Sequence, residues 1–205
     1  MSNKFQIIKL ETKEKRLIYD KPGNYSVYFE NLSGDLIFDI ITPGVQLNIY
    51  GLYIGKKNCE FKINTFQNHK APLSMSNLLI KGVFYDESKL YYRGLIRIEK
   101  NAQKSHAYQK NQNLMMSKDC FIDSKPYLEI LANDVFCTHG STTGRLDQEQ
   151  MFYTKTRGLN EKQAEELLVE GFINEVRNLV ILGSKTTPES ANNDSGRVHF
   201  VHLPE

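Results

Sequence analysis

Two potential metal ligands, Cys137 and His139, stand two positions apart in the run PYLEILANDVFCTHG that begins at Pro126. The run alternates like a strand. Side chains in a strand repeat every second residue, so Val135, Cys137 and His139 share one face and Asp134, Phe136 and Thr138 the other. Thiol and imidazole then lie roughly 7 Å apart. Glu129 has the same parity but sits roughly 33 Å from His139 along a straight strand. A turn at Asn133-Asp134 would shorten that distance, and a structural role is the simpler expectation for Glu129. Two donors do not close a tetrahedral zinc site, which takes four, and no CxxC or HxxxH lies nearby. A small buried residue and a hydrogen-bonded histidine at a strand end would give the same pattern.

The elements that must hold these residues are mostly short strands. Alternating runs recur at 25–31, 35–42, 45–55, 59–66, 73–86, 89–100 and 126–137, with further candidates at 5–10 and 16–19. Most are bounded by Gly, Pro, Asn, Asp or Ser, which predicts an all-β body. Lys21-Pro22-Gly23-Asn24 is a turn in which Pro sets φ and Gly permits φ > 0. Gly51, Gly82 and Gly94 fall inside runs, where glycine marks a bend or a close backbone approach. Serial bent strands fit the stacked coils of a β-solenoid, although periodicity alone does not separate that from a sandwich. Asn101, Asn111 and Asn113 read as loop or turn asparagines.

After Gly144 the period changes. Asp147 with Gln150 has the spacing of a capping box and opens a short helix that Gly158 ends. Asn160 with Gln163 repeats the signal and opens a second helix, from about Glu161 to Leu179. Its apolar stripe is Ala164, Leu167, Leu168, Gly171, Phe172, Val176 and Leu179. Residues 183–205 are polar and read as a disordered tail. His199 and His202 there are three apart and would point to opposite faces of a strand.

Composition narrows the function classes. The 205 residues suit one domain or one and a half. A net charge of +2 gives no electrostatic case for nucleic acid. No apolar run reaches a membrane span, and the N-terminus lacks the apolar segment of a signal peptide, so a cytoplasmic protein is the expectation. Cys59, Cys120 and Cys137 are odd in number and widely spaced, which is no disulfide framework.

The segment P-Y-L-E-I-x-A-N-D-V-x-C-x-H-G-S-T-T-G-x-L-D-x-E-Q-x-F-Y-x-x-x-R-G, together with YRGLIRIEKNAQKS at 92–105 and NQNLMMS at 111–117, resembles the SufB/SufD family of iron–sulfur cluster assembly proteins. The resemblance runs from about residue 46 to 180 and is nearer the SufD form. SufB-type chains carry Glu after the His, where this chain has Gly140, and a cluster-ligand Cys near the position aligned with Asn111. What the resemblance implies is a right-handed parallel β-helix with C-terminal α-helices. The expected layout is an N-terminal cap over 1–34, a β-helix core over 35–145, a helical region over 146–182 and the tail beyond.

It further implies a non-enzymatic scaffold with no stably bound cofactor, and a transient iron–sulfur cluster at a subunit interface. His139 matches the SufD histidine implicated in cluster assembly beside SufB, with Cys137 a second candidate. The helical region of the family binds the ATPase SufC, which carries over to Phe152, Tyr153, Arg157, Gly158 and Phe172. A cap that seals the last coil would equally explain the helices. No Walker motif GxxxxGK[ST] occurs, so ATP hydrolysis would belong to a partner. Family members are expected to be longer, with an N-terminal helical region before a longer β-helix. This chain therefore reads as a short version or a fragment whose first coil needs a cap. Two other classes stay open: a self-associating module whose 126–139 strand pairs with its own copy, and a polysaccharide-active β-helix enzyme. The latter would need paired carboxylates flanking a cleft, and the acidic residues here are scattered.

Overall fold

The computed structural model describes residues 5–10, 15–185 and 199–201, with side chains over 8–10 and 16–181. The chain winds between two sheets. Strands β1 (Phe5–Leu10), β3 (Gly23–Glu30), β5 (Val45–Gly55), β7 (Met75–Phe84), β9 (His106–Met115) and β11 (Phe136–Gly144) stack in that order as one parallel sheet. Strands β2 (Lys15–Tyr19), β4 (Gly34–Ile40), β6 (Glu60–His69), β8 (Lys89–Ile98) and β10 (Phe121–Ile130) stack in parallel as the second. Each odd strand and the even strand after it make one coil of a parallel β-solenoid, the fold class the sequence predicts. The repeat lengthens along the axis: Phe5 faces Asn24, 19 positions on, whereas Met75 faces His106, 31 positions on.

The strands form because alternate residues are apolar and meet inside. Leu36, Phe38, Leu47, Ile49 and Ile63 are fully buried between the sheets. Aromatic rings stack through the interior, Tyr53 lying 6.2 Å from Phe29 and 5.3 Å from Phe61, both edge-on. Gly51 takes its place by close approach: a Cβ there would lie 2.7 Å from the Phe29 ring and 2.9 Å from Ile80. The turns repeat like the strands. Asn31, Lys57 and Asp86 adopt φ of 50°, 58° and 55° at one side of successive coils. Asp86 Oδ2 accepts from the Lys57 amide at 2.7 Å, tying one turn to the next.

Three departures from the sequence reading matter. The 126–137 run is two strands, because residues 131–135 carry the chain from the second sheet to the first. A further strand, β9, occupies 106–115, so Asn111 and Asn113 are buried strand residues rather than loop asparagines, while Asn101 does sit in a turn. And β1 to β3, expected as a cap, stack in register in the same two sheets as the rest.

Helix α1 (Gln148–Thr156) is capped by Asp147, whose side chain accepts from the Glu149 amide. Helix α2 (Glu161–Lys185) starts at a complete capping box: Asn160 Oδ1 accepts from the Gln163 amide at 2.9 Å and Gln163 Oε1 from the Asn160 amide at 3.0 Å. Instead of sealing the last coil, α2 lies along the outer flank of the first sheet, against β1, β3, β5 and β7. Val169 and Ile173 bury against Leu52 and Val83 there. Of the predicted tail, 183–185 continue α2, and β12 (His199–Val201) pairs antiparallel with β2 at the edge of the second sheet. The remainder, His202 included, lies outside the described residues.

Candidate functional site

The last coil is open. Among the described strands, β10 bonds only to β8 and β11 only to β9, so each presents a row of edge amides and carbonyls. Around this end Phe121, Tyr127, Leu128, Ile130, Leu131 and Phe136 are exposed, Phe136 by 61%. Exposed apolar side chains beside unpaired strand edges mark a surface suited to pairing with another chain.

Register places the two predicted ligands on the inner face of this open coil. Cys137 stacks on Ala107, His139 on Gln109 and Ser141 on Asn111, and those three β9 residues are buried inside the solenoid. His139 is exposed, since no further coil among the described residues covers it. Cys137 is half-buried and packs with Ile96, Ile98, Ala102 and Ala132. Burial pushes its thiol up to about 11, so it stays protonated at neutral pH, whereas iron ligation uses the thiolate. His139 is the more exposed of the two. Glu129 belongs elsewhere: it faces outward on the second sheet, 3.7 Å from Arg97, because the 131–135 crossover breaks the parity assumed from a single strand.

Sequence reasoning misses a hydrogen-bonded chain that starts at Ser141, two residues along β11 from His139. Ser141 Oγ donates to Ser124 Oγ at 2.9 Å, and Ser124 Oγ donates to Asn111 Oδ1 at 2.9 Å. Only the register between β9, β10 and β11 brings these together, and nothing in their spacing announces it. A cleft of about 400 Å³ opens beside the strand starts, lined by Lys104, His106, Asp134, Val135 and Phe136; it does not include His139. Among the described residues no three of His, Cys, Asp and Glu come together as a metal site. An iron cluster at His139, as cargo, would need ligands beyond those the described residues bring together there.

The docking candidates divide. Phe152 and Tyr153 on α1 are 71% and 59% exposed, and the helix buries none of its residues. Arg157 stacks 5.0 Å from the Tyr153 ring and donates to its hydroxyl at 2.8 Å. Gly158 is exposed with φ +93°, a conformation that favours glycine and ends the helix. Phe172 points the other way, into the flank: Lys81, 3% exposed, lies 4.1 Å over its ring, donates to its carbonyl at 3.0 Å and pairs with Glu175.

A parallel two-sheet solenoid with an open last coil and a helical C-terminal region defines the structural class. The family model "SUF system FeS cluster assembly, SufBD core domain" matches residues 30–172, and the chain belongs to that family. It is 36% identical over 130 residues to the iron–sulfur cluster assembly protein SufD of Escherichia coli (strain K12), covering 63% of this chain and 31% of that protein. It is 34% identical over 117 residues to a SufBD family protein of Synechocystis, covering 57% and 25%. A SufBD family protein of Mycobacterium leprae is 32% identical over 142 residues, covering 65% and 36%. The match thus spans about a quarter to a third of the length of these relatives. No helix among the described residues is long and apolar enough to cross a membrane.

Proposed function

We propose that this chain is a non-catalytic scaffold subunit of an iron–sulfur cluster assembly complex, SufD-like in type. Its open coil contributes His139 to an interface with a SufB-type partner, and α1 offers a surface to a SufC-type ATPase. The observation that carries the reading is the open end itself: two unpaired strand edges, an exposed apolar border and an imidazole on the inward row. A neutral imidazole is a competent iron ligand, and a site split between two chains can release its product by opening. The strongest test is anaerobic reconstitution with both partners. His139→Ala is expected to lower cluster yield several-fold, and an equal yield removes His139 from the mechanism.

ATPase docking is tested by co-purification. Phe152→Asp is expected to abolish capture, because the ring is exposed and its loss leaves the fold intact. Phe172→Asp is the poorer probe, since it would also disturb the packing of α2 over Lys81. A second reading, self-association through the same open end, draws on the same exposed border. Mass in solution separates the two: a homodimer indifferent to both partners favours self-association. The polysaccharide reading gains nothing, since Asp39, Asp123 and Glu129 are each engaged with cations on the outer face of the second sheet.

A further inference from the structure

The inner face changes character along the solenoid axis. Lower coils present Phe29, Phe38, Leu47 and Ile49, whereas three successive inward positions of β9 are Gln109, Asn111 and Asn113, none more than 3% exposed. These amides make few bonds. Gln109 Nε2 donates to the Gly94 carbonyl at 3.3 Å, and Asn113 Nδ2 and Ser124 Oγ both donate to Asn111 Oδ1, at 2.6 Å and 2.9 Å. Gln109 Oε1, Asn111 Nδ2 and Asn113 Oδ1 are buried with no protein partner. Leaving such atoms without hydrogen bonds is costly.

The layer is built rather than incidental. A Cβ at Gly94 would lie 2.3 Å from both Gln109 Nε2 and Tyr92 Oη, and one at Gly82 would lie 2.3 Å from the Phe84 ring and 2.7 Å from Asn113 Oδ1, so these two glycines leave room that the amides share with two aromatic side chains. Two orphaned acceptors and one orphaned donor on alternate positions of one strand call for a small ligand that both donates and accepts. Water does this and takes two to four polar partners when buried. A cation fits poorly, since the layer carries no carboxylate and Asn111 offers it an N–H. The layer also has an outlet: Asn111 leads through Ser124 to Ser141, which is exposed on β11 two residues from His139.

We propose that Gln109, Asn111 and Asn113 form an internal water-binding site, filled from the open end past Ser124 and Ser141. On the interface reading given above, it keeps hydrogen-bonding solvent behind His139 when a partner covers the front. A crystal structure of the chain alone, at a resolution that orders solvent, is expected to show water bonded to at least two of the three orphaned atoms. A dry layer whose amides satisfy one another overturns the proposal. In solution, NMR cross-relaxation between water and the Asn111 side-chain NH2 is expected to carry the sign of a long-lived bound water. That signal should be lost when Gln109→Leu and Asn113→Leu are combined, and its absence from the unmodified chain overturns the proposal. Neither measurement needs iron or a partner, so failure here is distinct from failure of the interface reading.

Discussion

His69 is fully buried, with Nδ1 2.7 Å from Ser74 Oγ and Nε2 2.7 Å from Ser76 Oγ. Burial lowers its pKa from 6.5 to about 4, so the native chain holds it neutral where the unfolded chain would bind a proton. Stability from this residue is fully present above pH 6.5 and is lost as pH falls toward about 4. The loss is on the order of 3 kcal/mol. Acid unfolding followed by circular dichroism should steepen in that window, and His69→Gln should flatten it. A stability curve of unchanged slope in the variant would assign the acid limb elsewhere. Asp39 acts lower on the scale: burial alone would raise it, but hydrogen bonds from Asn68, Arg16 and Lys70 outweigh burial and hold it below 3.8. At this scale the sequence discloses Cys137 and His139 through type and parity. It hides Asn111 and Asn113, because inward-facing amides erase the alternation that makes a strand visible.

The helices were readable from their caps, since Asn160 and Gln163 bond one another through a pattern that is purely local. Asn160→Ala should cost about 1 kcal/mol, seen as a melting temperature about 2–4 °C lower; no change would mean that packing alone holds the start of α2. Where that helix lies was not readable. Its expected stripe meets the buried face only in part, since Ala164 and Val176 are buried but Leu167 and Leu179 are exposed and Val169 and Ile173 bury instead. The surface that covers the helix depends on Lys81, some 90 residues away. Lys81 is a cation under an aromatic ring, a carbonyl and a carboxylate, so it fastens the helix to the flank through contacts that have no sequence signal. The same lesson applies to Glu129. Its parity was right within its own strand, yet the 131–135 crossover moved Cys137 and His139 to the opposite sheet.

Over the whole chain, the solenoid was predictable from serial short strands only with help from resemblance, because a sandwich would show the same alternation. Glycine was the subtler clue: Gly51, Gly82 and Gly94 each sit where an interior side chain needs the room. The open end is the feature that acts at this scale. Ile130→Asp, on the inward row of β10 and already exposed, should leave the melting temperature within a degree or two while weakening association about tenfold, a change of ~1.4 kcal/mol. Sedimentation with a SufB-type partner, or with the chain alone, reads this directly; undiminished association would mean that the border is not the contact.

The lengthening repeat makes the solenoid a taper. Its narrow side offers strands of 6 and 5 residues, its broad side strands of 10 and 9. Narrow against broad would leave much of the longer edge without hydrogen-bond partners, and three residues of β2 are already occupied by β12. Broad against broad matches in length and brings like surfaces together about a two-fold axis. Among the described strands, pairing through the longer edges thus favours a closed pair over a stack of copies.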